Sequence, residues 1–136
     1  MKLTDHFSTD EFLVSSSYPD IAKRMRLSLT QKNRLFILSI LSLERIRKEF
    51  GTTRITSGFR STELNTALSG APGGQHTKAE AVDIICPYAV SMGLVYRFIL
   101  DQLEWPGEVI YYRSRGHIHI ALPSLTVHPD HFINEK

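Results

Sequence analysis

The chain has 136 residues, 42% of them apolar, with 16 basic and 14 acidic side chains and a net charge of +2. That length suits one compact domain, residues 1–136, with a proper core, and so balanced a charge is no argument for nucleic-acid binding. Cys86 is the one cysteine, which excludes an intrachain disulfide and leaves any metal to rest mainly on His, Asp and Glu.

In chain order, "STDE" at Ser8 to Glu11 fits a capping box that opens a short helix through Phe12 and Leu13. The start, "MKLTDHFSTDEF", has no apolar leader core, so synthesis in the cytoplasm is expected. "SSSYPD" at 15 to 20 ends the first helix. Thr30 is the predicted cap of a long helix to about Phe50, with Leu35, Leu38, Leu41 and Ile46 on its apolar face and Gly51 as its stop. Its apolar run, Leu35 to Leu43, is far shorter than a membrane span, so no membrane insertion is expected.

Arg54 to Ser57 reads as a strand, "SGFRS" as a turn, and Glu63 to Leu68 as a helix that "SGAPGG" breaks. Ala81 to Ile85 is a second strand. A helix follows from about Val90 to Leu103. Val109 to Tyr112 and His117 to Leu122 form a hairpin across "RSRG". The tail, with Pro123 and Pro129, is expected to be irregular. Helices followed by a few strands with helices between them give the α+β class.

Alternate side chains of a strand share a face. In "HIHI", Ile118 and Ile120 therefore face the core, while His117 and His119 point together to the other side. In "AVDII", Asp83 is a carboxylate inside an apolar run. Burying it costs several kcal/mol unless it is paired or bound to a cation. His76 precedes it by seven residues. Two imidazoles and one carboxylate make a good zinc set with a fourth position left open. Spacing alone leaves this reading level with a hydrogen-bonded His–Asp pair.

The stretches "RITSGFRS" (54–61), "LN" (64–65), "GGQHTKAEAVDI" (73–84) and "HIHIAL" (117–122) occur in that order. With the opening "LTDHFSTDEF" they resemble the zinc D-alanyl-D-alanine carboxypeptidase family, which cleaves peptidoglycan stem peptides, and within it a short branch common in bacteriophages and bacteria. The likeness runs from about residue 3 to 122. It implies a small antiparallel sheet of about four strands flanked by helices, a fold shared with the hedgehog signalling domain. It also implies His76, Asp83 and His119 as ligands of one Zn2+ per chain, and Arg60 as the holder of a substrate carboxylate. His117 would bond the oxyanion or the substrate. The implied partner is a peptidoglycan stem peptide, met at the cell wall after release or from a virion.

Two positions depart from the family pattern. Ala79 stands where relatives often have glycine. Gly116 stands three residues before His119, where many relatives carry the acid that serves as general base. Glu80, Glu104, Glu108 or His117 could replace it, with His117 preferred because it shares the ligand face. Without a base the same fold would be a metal-containing binding module with no turnover. A third reading, a basic interaction domain, rests on "AKRMR" (22–26), Arg45, Arg47 and Lys48, which also fit wet helix faces. His128, Asp130 and His131 are weighed as a second metal site against a solvated tail. Trp105 and one of Tyr111 and Tyr112 are weighed as groove walls against core packing.

Overall fold

The computed structural model of the chain describes residues 1–123 and 131–135. Five strands, β1 (Arg54–Ser57), β2 (Ala81–Ile85), β3 (Val109–Tyr112), β4 (His117–Ala121) and β5 (His131–Asn134), form one sheet in the order β1-β2-β4-β3-β5. The first four pair antiparallel, which is the α+β sheet predicted; β5 joins β3 in parallel. That fifth strand corrects the expectation of an irregular tail. Its four residues give too short an alternation to read alone, and pairing with β3 supplies the backbone partners. The side chains of His128, Asp130 and His131, weighed as a second metal site, lie outside what is described.

Among the described residues five helices flank the sheet: α1 (Pro19–Arg24), α2 (Leu29–Leu38), α3 (Glu44–Phe50), α4 (Thr62–Ala67) and α5 (Met92–Asp101). Near the start, Thr9–Phe12 is a single 3-10 turn, closed by the predicted Ser8–Glu11 box: the Ser8 amide donates to Glu11 Oε2 at 2.7 Å. Helix α1 was not expected, because "SSSYPD" reads as a breaker. Pro19 instead sits at the first helical position, where its missing N–H costs nothing.

The long helix starts at Ser28 rather than Thr30. Ser28 and Gln31 form a reciprocal capping box, the Gln31 amide donating to Ser28 Oγ and the Ser28 amide to Gln31 Oε1. A π turn, Ser39–Leu43, joins α2 to α3. The buried stripe runs Leu35, Leu38, Ser39, Ser42, Leu43, Ile46, so Leu41 falls on the exposed side, against expectation. The two buried hydroxyls are satisfied within the helix, Ser39 Oγ donating to the Leu35 carbonyl and Ser42 Oγ to that of Leu38. Among the described residues no helix is long and apolar enough to cross a membrane.

The sheet has two unlike faces. Val82, Ile84, Val109, Ile118 and Ile120 are fully buried in one core with Leu35, Leu38, Ile46, Val95 and Ile99 of the helices. Each such side chain contributes about 1.5–3 kcal/mol on burial. Cys86 is a small buried thiol beside Thr53, and Trp105 is buried with its indole N–H donating to the Ala121 carbonyl. The other face carries Asp83 and His119, directly opposite each other across β2 and β4.

Two glycines let backbone pass close to backbone. A Cβ on Gly58 would lie 2.5 Å from the Phe12 carbonyl oxygen, and one on Gly107 would lie 2.0 Å from that of Ala121. Gly58→Ala and Gly107→Ala are each expected to destabilise the fold by about 1–3 kcal/mol. The measurement is the shift of the urea unfolding midpoint. An unchanged midpoint would mean that the close approach is relaxed in solution.

Candidate metal centre and cleft

Three elements bring the polar groups together. His76 lies on the 3-10 turn Gln75–Lys78, just before β2. The chain leaves that turn through Ala79, whose φ of 57° is left-handed. Such a backbone costs a non-glycine residue on the order of 1 kcal/mol, so glycine would suit this place better than alanine. Asp83 is the middle of β2 and His119 the middle of β4. Each of the three is less than a tenth exposed.

Both imidazoles converge on one carboxylate oxygen. His119 Nδ1 lies 2.9 Å from Asp83 Oδ1, and His76 Nε2 lies 3.4 Å from the same atom. One ligand atom from each of the three residues falls within 4.8 Å of the others, a group that could hold a metal ion. The far side of each ring is fixed. His76 Nδ1 donates to the Gly58 carbonyl at 2.8 Å. His119 Nε2 faces Gln75 Oε1 at 3.0 Å and Glu108 Oε1 at 3.3 Å. Those partners accept, so the outer nitrogens donate to them and His76 Nε2 and His119 Nδ1 are the nitrogens that face Asp83. Outer partners of this kind orient metal-ligating histidines generally, so the residues present fit a divalent cation.

The electrostatics follow from burial against contact. Burial would raise the Asp83 carboxyl, but hydrogen bonds from His119 and His76 outweigh it and hold Asp83 well below the usual carboxylate range. Burial would lower His119, but Asp83 and Glu108 outweigh it and raise the ring to about 9. His117, half-buried at the start of β4, is lowered by burial, only partly offset by Asp83, which favours the uncharged ring. Its Nε2 lies 4.0 Å from Asp83 Oδ2, on the carboxylate oxygen not taken by the other two histidines.

Beside these groups opens a cleft of about 510 Å³, lined by Asp83, His117 and Arg60 with the hydroxyls of Ser15, Ser16 and Ser57. Arg60 stands in the turn after β1. Its amide donates to the His76 carbonyl at 3.0 Å and its Nε to Ser57 Oγ at 3.2 Å. All five residues singled out in the sequence therefore meet at one place. Three of the four candidate bases divide differently. Glu80 turns away to Arg34, Glu104 is exposed in the turn after α5, and Glu108 lies behind His119, across the ring from Asp83. Gly116 has a φ of 75° in the β3–β4 turn, a conformation that favours glycine over an acid. Tyr112 stacks on His117 with ring centroids 4.7 Å apart, while Tyr111 packs beside Tyr96.

The sequence reading missed Gln75, the Gly58 carbonyl and the role of Glu108. Gln75 adjoins His76 in "GGQH", but its partner His119 is 44 residues away, and only the folded sheet joins them.

Residues 5–121 match the family described as Peptidase M15, a span that takes in β1 to β4 and every side chain of the cleft floor. No curated protein matches the chain. With most of its length and its whole polar face inside that match, the chain belongs to the Peptidase M15 family of metallopeptidases.

Proposed function

We propose that the protein is a zinc-dependent peptidase that hydrolyses peptide bonds in bacterial peptidoglycan stem peptides, as a cell-wall lytic enzyme of the phage or bacterial type. The observation that carries this reading is the convergence of His76, Asp83 and His119 at the edge of an open cleft that also holds Arg60, which has no carboxylate partner among the described residues. His76 Nε2, Asp83 Oδ1 and His119 Nδ1 are the atoms that would hold zinc. A zinc ion there would supply a Lewis acid for the scissile carbonyl and acidify a water. Arg60 binds a substrate carboxylate through its planar fork. His117 offers Nε2 to the substrate's carbonyl oxygen or to a proton in transit. Glu108 and Gln75 keep the His119 ring in place.

A second reading is a metal-containing cell-wall-binding or virion module without turnover. Gly116 favours it, because Asp83 is the sole acid lining the cleft among the described residues. The two readings share the metal and part at the chemistry.

Purified protein should take up close to one zinc per chain, measured by metal analysis after dialysis. His76→Ala and Asp83→Ala should each lose it. Glu108→Gln should keep the fold but weaken zinc affinity by about 10- to 100-fold in competition with a chromophoric chelator. Full zinc retention by His76→Ala would remove the metal centre from the reading.

Zinc-loaded protein should release peptides from purified peptidoglycan or synthetic stem peptides, and a chelator should stop it. His117→Ala should lower kcat by roughly 100- to 10,000-fold. Arg60→Ala should cost about ten- to a hundredfold in kcat/KM. Intact substrate after incubation with fully zinc-loaded protein would leave the binding-module reading in its place.

A further inference from the structure

The cleft holds a second arginine. Arg115, at the tip of the β3–β4 hairpin, lines the same 510 Å³ space as Arg60, Asp83 and His117. We propose that Arg115 is a second carboxylate anchor, and that the cleft selects peptides carrying two carboxylates, one held by Arg60 and one by Arg115. This rests on the peptidase reading for the bond that is cut, but not for the ligand that is bound.

Arg60 and Arg115 are the two arginines that line this cleft. Among the described residues, Arg24, Arg34, Arg97 and Arg113 each sit beside a carboxylate of Glu63, Glu80, Asp101 and Glu135 respectively. Arg60 and Arg115 have no such partner among these residues; Arg26, Arg45, Arg47 and Arg54 have none either, but they lie outside the cleft. Asp83 is the one acid of the cleft, and its charge is already engaged by His76 and His119. Two guanidiniums in one cleft repel each other until an anion enters, and a dication beside them sharpens that demand. A ligand with one carboxylate leaves one guanidinium unmatched; a ligand with two satisfies both.

Topology places the two anchors apart. Strand β1 runs antiparallel to β2, so the turn that carries Arg60 leaves the sheet at the N-terminal end of β2. Strand β4 also runs antiparallel to β2, so the hairpin tip lies at the C-terminal end of β2. Asp83 stands between them along the strand. A peptide lying across the cleft would meet Arg60 on one side of the metal ligands and Arg115 on the other.

Arg115 is also held in readiness. The turn is closed by the amides of Arg115 and Gly116, which donate to the Tyr112 carbonyl at 3.1 and 2.8 Å. The guanidinium lies 5.6 Å over the Tyr112 ring, which in turn stacks on His117. A cation over an aromatic face gains about 0.5–1 kcal/mol at an exposed site. The arginine thus keeps its charge beside the cleft, with no side-chain hydrogen bond or ion pair among the described residues.

The test compares stem-type peptides bearing two carboxylates with the same peptides amidated at one or the other. Binding is measured by calorimetry on the chelator-treated full chain, where nothing is cut, and kcat/KM on the zinc-loaded chain. Arg115→Ala should weaken binding and kcat/KM of the dicarboxylate about three- to tenfold, mostly through KM, and more at low salt. With the peptide lacking the carboxylate assigned to Arg115, the substitution should change nothing. Arg60→Ala should show the same pattern with the other amide, and Arg115→Lys should recover part of the loss through charge alone. Equal losses on all three peptides, or no loss on the dicarboxylate, would overturn the assignment while leaving the peptidase reading intact. If nothing is cut but the Arg115-dependent difference in binding persists, the peptidase reading fails and the dicarboxylate site stands.

Discussion

A buried carboxylate in the middle of a sheet is the constraint around which this protein is arranged. Asp83 has the same strand neighbours as a core residue, yet it must remain ionised to be of use. The fold meets that cost by directing two imidazoles at one of its oxygens. One comes from a turn immediately upstream and one from the adjacent strand, so local geometry and strand register both have to be right. A slip of one residue between β2 and β4 would turn His119 into the apolar core and bring an isoleucine against the acid. The alternation that buries Ile118 and Ile120 is therefore the same alternation that assembles the polar centre.

The centre is supported from behind as carefully as from in front. The Gly58 carbonyl, Gln75 and Glu108 settle which nitrogen of each ring faces inward. Gly58 serves twice, since the absence of a side chain lets its backbone pass against Phe12 and so brings its carbonyl within reach of His76. Packing in the N-terminal segment is thus linked mechanically to the orientation of a ring on the far side of the β1 turn. Glu108 shows how an acid near a site can act on a ligand rather than on a substrate: it stands across the imidazole from Asp83.

Much of this was legible in the sequence, and what was not has physical reasons. The limits of β1, β2 and β3 follow from short apolar runs between glycines, prolines and polar turns. The polar trio was legible because strand alternation placed His119 with His117 and because the flanking motifs resemble those of a known family. Helix α1 was hidden because a proline after three serines reads as a stop, although it equally well begins a helix. Leu41 was misplaced by reading apolar residues at roughly helical spacing; the true stripe spends two of its places on serines that satisfy themselves within the helix. Gln75, Gly58 and Arg115 were not legible, since their meaning lies in contacts 18 to 44 residues distant or in a space that exists only after folding.

Strand β5 lies beyond the family match. It occupies the outer flank of β3, where an uncovered strand would offer a ladder of unmet N–H and C=O groups to any extended chain nearby. A protein whose proposed ligand is itself an extended peptide has particular need of such a cover. Docking this segment covers the hairpin strand β3 and passes that edge of the sheet on to a strand of only four residues, a short template for any foreign chain.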